Sequence, residues 1–216
     1  MVVYAISGKG YDSNVYIIPG TKTTVIDTGT GMNKTYVLDQ IQRYIDIQDI
    51  DQIVLTHEHF DHVGGVSNIL QALPKKVTIF AHAHAIESLK SGVSEFADIL
   101  GIEMPKILVD HPLYGEEQIV LGDEQYLVLS TPGHSLGGLC LYGKTSKTLF
   151  SGDIVFAYGG FGRYDFIGGN KQALFGSIRK LAALEISDLY PGHGEYILRY
   201  GYKHVQQALE MLSKIQ

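Results

Sequence analysis

The sequence has very little cysteine, because Cys140 is the only one among its 216 residues. A single cysteine forms no disulfide within the chain, so nothing in the composition points to an oxidising compartment. Cys140 lies in the apolar run 139–142, where we predict a small, buried core residue.

Long apolar runs and clusters of basic residues are also missing. No stretch approaches the roughly 18 apolar residues of a membrane-spanning helix, and residues 1–6 lack the basic and apolar parts of a signal peptide. We therefore expect a soluble, cytoplasmic protein with no membrane partner. The net charge is −6 with histidine neutral, and no basic run exceeds Lys75-Lys76. This balance argues against nucleic acid as a partner.

What remains is the composition of an ordinary globular protein, with 45% hydrophobic and 19% charged residues. A chain of this length is typical of one domain with a substantial core, so we predict a single domain over residues 1–216.

Short β-branched or aromatic runs alternate with segments of helical periodicity. Residues 91–117, rich in glycine and proline, form the least regular part and are interpreted as a lid or an insertion whose apolar residues could support a homodimer. Asn33 is a candidate cap for the first helix. Strands are predicted at 4–6, 14–18, 23–26, 52–56, 77–81, 125–130, 139–142, 148–151 and 188–190, and helices after Asn33 and at 65–72, 82–90, 171–184 and 201–214. This alternation, which recurs in both halves of the chain, predicts a layered α/β fold.

The densest chemical signal is Thr56-His-Glu-His-Phe-Asp-His62-Val-Gly-Gly65, which directly follows an apolar strand. Imidazole nitrogen and carboxylate oxygen are ligands that suit Zn²⁺ and related metals. Side chains alternate along an extended segment, so His57 and His59 can face one metal. Asp61 and His62 come after the chain turns and can reach a second metal. The local sequence therefore predicts metal binding.

The His-x-His-x-Asp-His pattern resembles the signature of the metallo-β-lactamase superfamily. Four further elements of that signature follow the family order: Asp27-Thr-Gly29, Thr131-Pro-Gly-His134, Ser151-Gly-Asp153 and Pro191-Gly-His193. The resemblance implies an α/β fold, a four-layer αββα sandwich of the metallo-β-lactamase type.

The resemblance also implies the roles of individual residues. The first metal would be held by His57, His59 and His134. The second would be held by Asp61, His62 and His193, with Asp153 bridging the two. Zinc is the default ion for such a site, and iron or manganese also suit mixed His/Asp ligands. Asp27 is interpreted as a supporting residue that orients a ligand, against the alternative of a plain turn residue.

The segment 152–169 is similar to the glyoxalase II branch, which carries Gly-Arg and then Asp-Phe-x-x-Gly at this place. The chain differs from full-length glyoxalase II in ending soon after His193, without the helical domain that supplies glutathione contacts. Arg163 is a candidate anchor for a substrate carboxylate, against the alternative that it pins its own loop. Aromatic residues of the same loop either line a pocket or pack the loop down: Tyr158, Phe161, Tyr164 and Phe166.

These features predict a metal-dependent hydrolase of a small-molecule thioester or related activated acyl compound. A hydroxide bridging two metal ions would attack the carbonyl carbon, with Asp61 as the catalytic residue that orients it. The alternative is a persulfide dioxygenase, a related enzyme that the segment 152–169 also resembles; the resemblance implies that His57, His134 and Asp153 would hold its single iron. A lactonase, or a nuclease of the same superfamily, is less favoured. A second His-x-His pair, His82 and His84, is interpreted as polar residues at the surface or at a helix start.

Overall fold

The computed structural model describes residues 2–165 and 167–215. The chain forms two compact units: the first comprises residues up to Leu113 together with Val120–Asp123, and the second comprises Tyr114–Ile119 and the residues from Glu124 onward. The expectation of one domain over residues 1–216 stays a prediction.

The first unit contains a six-stranded sheet in which spatial order follows chain order. β1 and β2 are antiparallel, as are β2 and β3, whereas β3, β4, β5 and β6 are mutually parallel neighbours. The carboxyl ends of β3 and β4 therefore meet at one edge of the sheet, where Asp27 and His57 follow. The strands are β1 (Tyr4–Ile6), β2 (Val15–Ile18), β3 (Thr24–Ile26), β4 (Gln52–Val54), β5 (Thr78–His82) and β6 (His111–Leu113).

Five helices accompany this sheet: α1 (Lys34–Tyr44), α2 (Phe60–Val63), α3 (Val66–Gln71), α4 (Ile86–Ser91) and α5 (Glu95–Leu100). The helix after Asn33 is confirmed, and its residues Val37 and Ile41 are buried in the core. Tyr44 is instead 40% exposed. Its ring stacks on Tyr4, with the ring centroids 4.6 Å apart.

Asn33 directly precedes α1, as predicted for a cap. The predicted capping hydrogen bond is absent, because the Asn33 side chain does not accept from the first turn of the helix. The amide nitrogen donates to the carbonyl of Lys9 and to the carboxylate of Asp12 instead. The Asn33 side chain therefore donates to partners distant in the chain instead of accepting from the first turn of α1, which a sequence pattern does not reveal.

The stretch 91–117, interpreted as the least regular part of the chain, contains two short elements, α5 and β6. Ser94 caps α5 by accepting a hydrogen bond from the main-chain nitrogen of Ala97, and Gly101 ends the helix in a left-handed conformation. Both elements are short, with six and three residues. Such short elements show too little periodicity for a sequence to predict them.

The second unit contains most of a five-stranded sheet in the order β11-β10-β9-β8-β7. β8 and β9 are antiparallel, β9 and β10 are antiparallel, and β10 and β11 are parallel. Hence β8, β10 and β11 all run in the same direction, and their carboxyl ends lie at one edge of the sheet. The strands are β7 (Gln118–Leu121), β8 (Glu124–Ser130), β9 (Leu139–Gly143), β10 (Thr148–Gly152) and β11 (Asp188–Pro191).

Two amphipathic helices cover the core of this unit, α6 (Lys171–Leu181) and α7 (Gly201–Lys214). Both correspond to predicted helices, and Leu174, Ile178 and Val205 at helical spacing are fully buried. Cys140 is also fully buried, which confirms its predicted place in the core. Burial raises the pKa of the Cys140 thiol to about 12, so it is not a reactive thiolate at neutral pH.

Among the residues that the structure describes, no helix combines the length and the apolar character needed to cross a membrane.

Candidate metal centre

The first unit brings together the ligand-type side chains that follow β4. His57 and His62 are buried, and their ring centroids are 4.0 Å apart. His57 Nε2 lies 3.1 Å from His59 Nδ1, as the alternation of an extended segment predicts. After the chain turns into α2, Asp61 Oδ2 lies 3.7 Å from His62 Nε2. These contacts place four potential metal donors within one short segment.

Asp27 supports this segment directly. Its carboxylate accepts hydrogen bonds from the main-chain nitrogen and the hydroxyl of Thr56, at 2.8 and 2.7 Å. The second oxygen also lies 2.8 Å from His62 Nδ1. A carboxylate on Nδ1 orients the imidazole and leaves Nε2 as the atom for a metal. The contacts expected of an orienting residue are therefore present at Asp27.

Thr28 was not singled out by the sequence patterns, although it stands inside the Asp-Thr-Gly motif. Its main-chain nitrogen and its hydroxyl both donate to the carbonyl of His62, at 2.7 and 3.0 Å. A Cβ atom on Gly65 would lie 2.1 Å from the Thr28 carbonyl oxygen. The glycine at position 65 thus permits the close approach that fixes the main chain of His62.

The loop before β2 supplies two further contacts that the sequence did not indicate. The main-chain nitrogen of Ser13 donates to the carbonyl of Asp61 at 3.0 Å. The buried carboxylate of Asp12 accepts a hydrogen bond from the main-chain nitrogen of Thr30 at 2.9 Å. These bonds connect the loop before β2 to the main chain of Asp61 and to the loop after β3.

In the second unit, three ligand-type residues follow strands whose carboxyl ends share one edge. His134 comes after β8, Asp153 after β10 and His193 after β11. Asp153 Oδ2 lies 3.6 Å from Nε2 of His134 and 3.6 Å from Nε2 of His193. Two donors bound at about 2.1 Å to one tetrahedral ion lie about 3.4 Å apart. The spacing of these atoms therefore fits metal ligation, with Asp153 between the two histidines.

The orientation of His134 depends on the loop that contains Gly162 and Arg163. His134 Nδ1 lies 2.6 Å from the main-chain carbonyl of Arg163. Since a carbonyl only accepts, Nδ1 carries the proton and Nε2 keeps the lone pair that a metal requires. A Cβ atom on Gly162 would lie 2.0 Å from the Asp153 carbonyl and 2.9 Å from His134 Nδ1. Only glycine lets this loop reach the histidine.

The side chain of Arg163 points to its own loop. Its guanidinium forms a bidentate pair with Asp165, with Nε–Oδ1 and Nη2–Oδ2 distances of 2.9 and 2.8 Å. Phe161 and Tyr164 pack against the core of the second unit, which favours the packing role for these two aromatics. Phe166 lies outside the described residues.

Tyr158 is the exception among the aromatics of this loop, because it is 68% exposed. Its hydroxyl donates to Glu195 Oε2 at 2.6 Å, and its main-chain nitrogen donates to His204 Nδ1 at 2.7 Å. The bond to Glu195 raises the pKa of the Tyr158 phenol, so the hydroxyl remains a donor. Its φ of 59° is unusual for a residue with a side chain. Two polar contacts offset this cost.

The second His-x-His pair, His82 and His84, lies at the start of a helical segment. His82 Nδ1 accepts a hydrogen bond from the main-chain nitrogen of His84, which confirms the helix-start interpretation. His82 is buried, so the idea of a surface residue is wrong for it. Its position at the end of β5, inside the sheet, accounts for that burial.

These features define a metal-binding α/β protein with histidine and aspartate donors at strand ends. The sequence profile of the metallo-beta-lactamase superfamily matches residues 8–193, and the chain belongs to that family. The superfamily is one of metallo-hydrolases, and the predicted fold class is confirmed. The assignment of the seven ligands to two ions stays a prediction.

Two relatives illustrate the range of similarity. The probable metallo-hydrolase MJ0888 of Methanocaldococcus jannaschii is 32% identical over 212 residues, covering 95% of this chain and 98% of that protein. The hydroxyacylglutathione hydrolase 2 of Vibrio vulnificus is 28% identical over 185 residues, covering 84% of this chain and 62% of that protein.

Solved structures resemble the whole chain. TTHA1623 in a di-iron-bound form has a TM-score of 0.74 and 29% identity, covering 96% of each chain. The BLEG-1 B3 metallo-beta-lactamase has a TM-score of 0.78 and 24% identity, covering 97% of each chain, which shows the shared fold.

Replacing Asp27 with asparagine is expected to weaken metal binding about 10- to 100-fold, because the carboxylate that orients His62 is lost. Asparagine tolerates the φ of 57° at this position, so the main chain keeps its conformation. Competition with a chromogenic chelator measures the affinity. Asp46→Asn is the matched control, since Asp46 only caps a short helical turn. Equal affinities of the Asp27 and Asp46 variants would contradict the orienting role.

Proposed function

We propose that the protein hydrolyses a thioester or a related activated acyl compound with the help of two divalent metal ions. One observation carries the proposal: Nδ1 of both His62 and His134 faces an acceptor, and Nε2 of each lies near an aspartate oxygen. This arrangement prepares both units to donate to metal ions. Relatives named hydroxyacylglutathione hydrolase and thioesterase support an acyl substrate.

The ligand sets follow the family resemblance. His57, His59 and His134 would hold one ion. Asp61, His62 and His193 would hold the other, and Asp153 would bridge the two. The resident ions would be zinc, with iron or manganese as the alternatives. The donor set is all nitrogen and carboxylate oxygen, which these ions share as ligands.

Bound divalent metals supply Lewis acidity, which polarises the scissile carbonyl and lowers the pKa of an attacking water. The protein's own contribution is orientation. Asp27 and the Arg163 carbonyl hold the imidazoles of His62 and His134 in one tautomer. Asp61, whose main-chain carbonyl accepts a hydrogen bond from the main-chain nitrogen of Ser13, would orient the attacking water with its carboxylate.

The alternative is the persulfide dioxygenase. It would use His57, His134 and Asp153 around one iron and would leave four predicted ligands without a metal. In such a site the contacts that orient His62 and Asp61 would not orient metal ligands. Hydrolysis with a full ligand set therefore explains more of the structure.

Metal dependence tests the proposal. Purified protein is expected to contain about two metal ions per chain and to hydrolyse acyl thioesters. Treatment with a chelator is expected to lower the rate at least about 100-fold, since several kcal/mol of transition-state stabilisation is lost. Zinc, iron or manganese should restore the rate. A metal-loaded protein that hydrolyses no thioester, or that consumes oxygen with a persulfide, would overturn it.

A further inference from the structure

The segments that carry the ligand-type residues and Asp27 contain almost no positive charge. Their sequences include a single lysine or arginine, Arg163, together with several acidic residues. A substrate with carboxylates would need cationic partners, because carboxylates are recognised mainly by arginine and lysine. The segments are 27–33, 56–65, 131–138, 153–170 and 191–196, and Lys34 and Lys171 directly follow the first and the fourth of them.

Arg163 is itself committed within its loop. The bidentate pair with Asp165 uses Nε and Nη2, the fork that would otherwise bind a carboxylate. A substrate carboxylate would have to displace Asp165 to reach this fork. The pair therefore neutralises the one basic side chain of these segments.

Within the second unit, apolar side chains are exposed close to His134 in the chain. Leu136 stands two residues after His134 and is 55% exposed, and Ile167 is 83% exposed. The turn that carries Ile167 lies against Leu136, because a Cβ atom on Gly168 would be 3.5 Å from Leu136 Cγ. Apolar residues that are exposed together beside polar catalytic groups are typical of a ligand-binding surface.

We propose that the natural substrate is a thioester with an uncharged, apolar acyl group, which Leu136 and Ile167 contact, and with a thiol carrier that needs no carboxylate anchor. The proposal presupposes the thioester hydrolysis described above. It gives Arg163 a role in loop structure, through its pair with Asp165 and its carbonyl on His134.

Matched thioesters test the substrate class. Acetyl, butyryl and hexanoyl groups are each placed on glutathione, which carries two carboxylates, and on the neutral thiol N-acetylcysteamine. We expect kcat/KM to rise at least about tenfold from acetyl to hexanoyl, since each fully buried methylene contributes about fourfold. Glutathione should give no more than about a threefold advantage over N-acetylcysteamine with the same acyl group.

Substitutions at Leu136, Ile167 and Asp165 test whether these residues determine the preference for a long acyl group and a neutral thiol carrier. Leu136→Asn and Ile167→Asn are each expected to lower the hexanoyl-to-acetyl ratio of kcat/KM about tenfold. Ile99→Asn is the matched control, because Ile99 is 74% exposed on α5, outside the ligand segments. Asp165→Asn releases the guanidinium of Arg163 and is expected to raise the glutathione-to-N-acetylcysteamine ratio about tenfold.

Binding to metal-free protein gives a readout apart from catalysis. Calorimetric titration should show that S-hexyl-N-acetylcysteamine binds at least as tightly as S-hexylglutathione, and that Leu136→Asn weakens it. A glutathione advantage above tenfold, or rates independent of acyl length, would overturn the substrate class while leaving thioester hydrolysis intact. Metal-loaded protein that cleaves none of the six thioesters would overturn both proposals.

Discussion

Replacing Asp153 with asparagine is expected to lower thioester hydrolysis about 100- to 1000-fold and to reduce metal content. Asp153 Oδ2 lies 3.6 Å from Nε2 of both His134 and His193, so its loss removes the charge that these donors share. A carboxylate that holds metal ions contributes several kcal/mol to the stabilisation of the transition state. Steady-state kinetics and elemental analysis of the same preparation measure the two effects.

Asp188→Asn is the control for this variant. Asp188 lies in the same unit and accepts hydrogen bonds from the Arg199 main chain and the Ser187 hydroxyl, but it belongs to neither predicted ligand set. We expect its metal content and rate to match the unmodified protein. If the Asp153 variant keeps its metal and its rate, the proposed bridging role is wrong.

Gly162→Ala is expected to be the second most damaging change, although glycine and alanine differ by one methyl group. That methyl would lie 2.0 Å from the Asp153 carbonyl oxygen, which is main chain and has little room to move. Forced overpacking of this kind costs about 3 kcal/mol in the free energy of unfolding. The Arg163 carbonyl would also leave His134 Nδ1, which weakens metal binding about 10- to 100-fold.

Denaturant unfolding and chelator competition separate these two consequences. Gly176→Ala provides the comparison, because nothing lies within 4 Å of the added Cβ in the interior of α6. That variant should gain about 0.5–1 kcal/mol, the usual difference between alanine and glycine within a helix. A Gly162 variant with unchanged stability and metal affinity would show that the loop can retreat from His134.

Much of the fold could be predicted from the sequence, because long periodic segments carry a strong signal. The apolar faces of α6 and α7 follow from the helical spacing of residues such as Leu174 and Val205, and both are buried. Short elements gave no such signal. Strand β6 has three residues including Pro112, and its position is set by pairing with β5, which is distant in the chain.

The order of motifs along the chain determined the family and the residues able to bind metal. His57, His134, Asp153 and His193 each follow a strand, and the polarity of their side chains is visible in the sequence. The residues that orient these metal ligands were only partly visible in the sequence. Asp27 stands in a recognisable motif, but the hydrogen bonds from Thr28 to His62 join residues 34 positions apart.

The tertiary structure alone shows what Arg163 contacts. From the sequence, its guanidinium is an equally good anchor for a substrate or for its own loop. In the folded chain the guanidinium of Arg163 donates to Asp165, and the main-chain carbonyl of Arg163 accepts a hydrogen bond from His134 Nδ1. The sequence by itself thus determined which atoms can donate to a metal, since donor chemistry belongs to the residue type. Which lone pair each histidine offers depends on its hydrogen-bond partner, and long-range folding brings that partner into place.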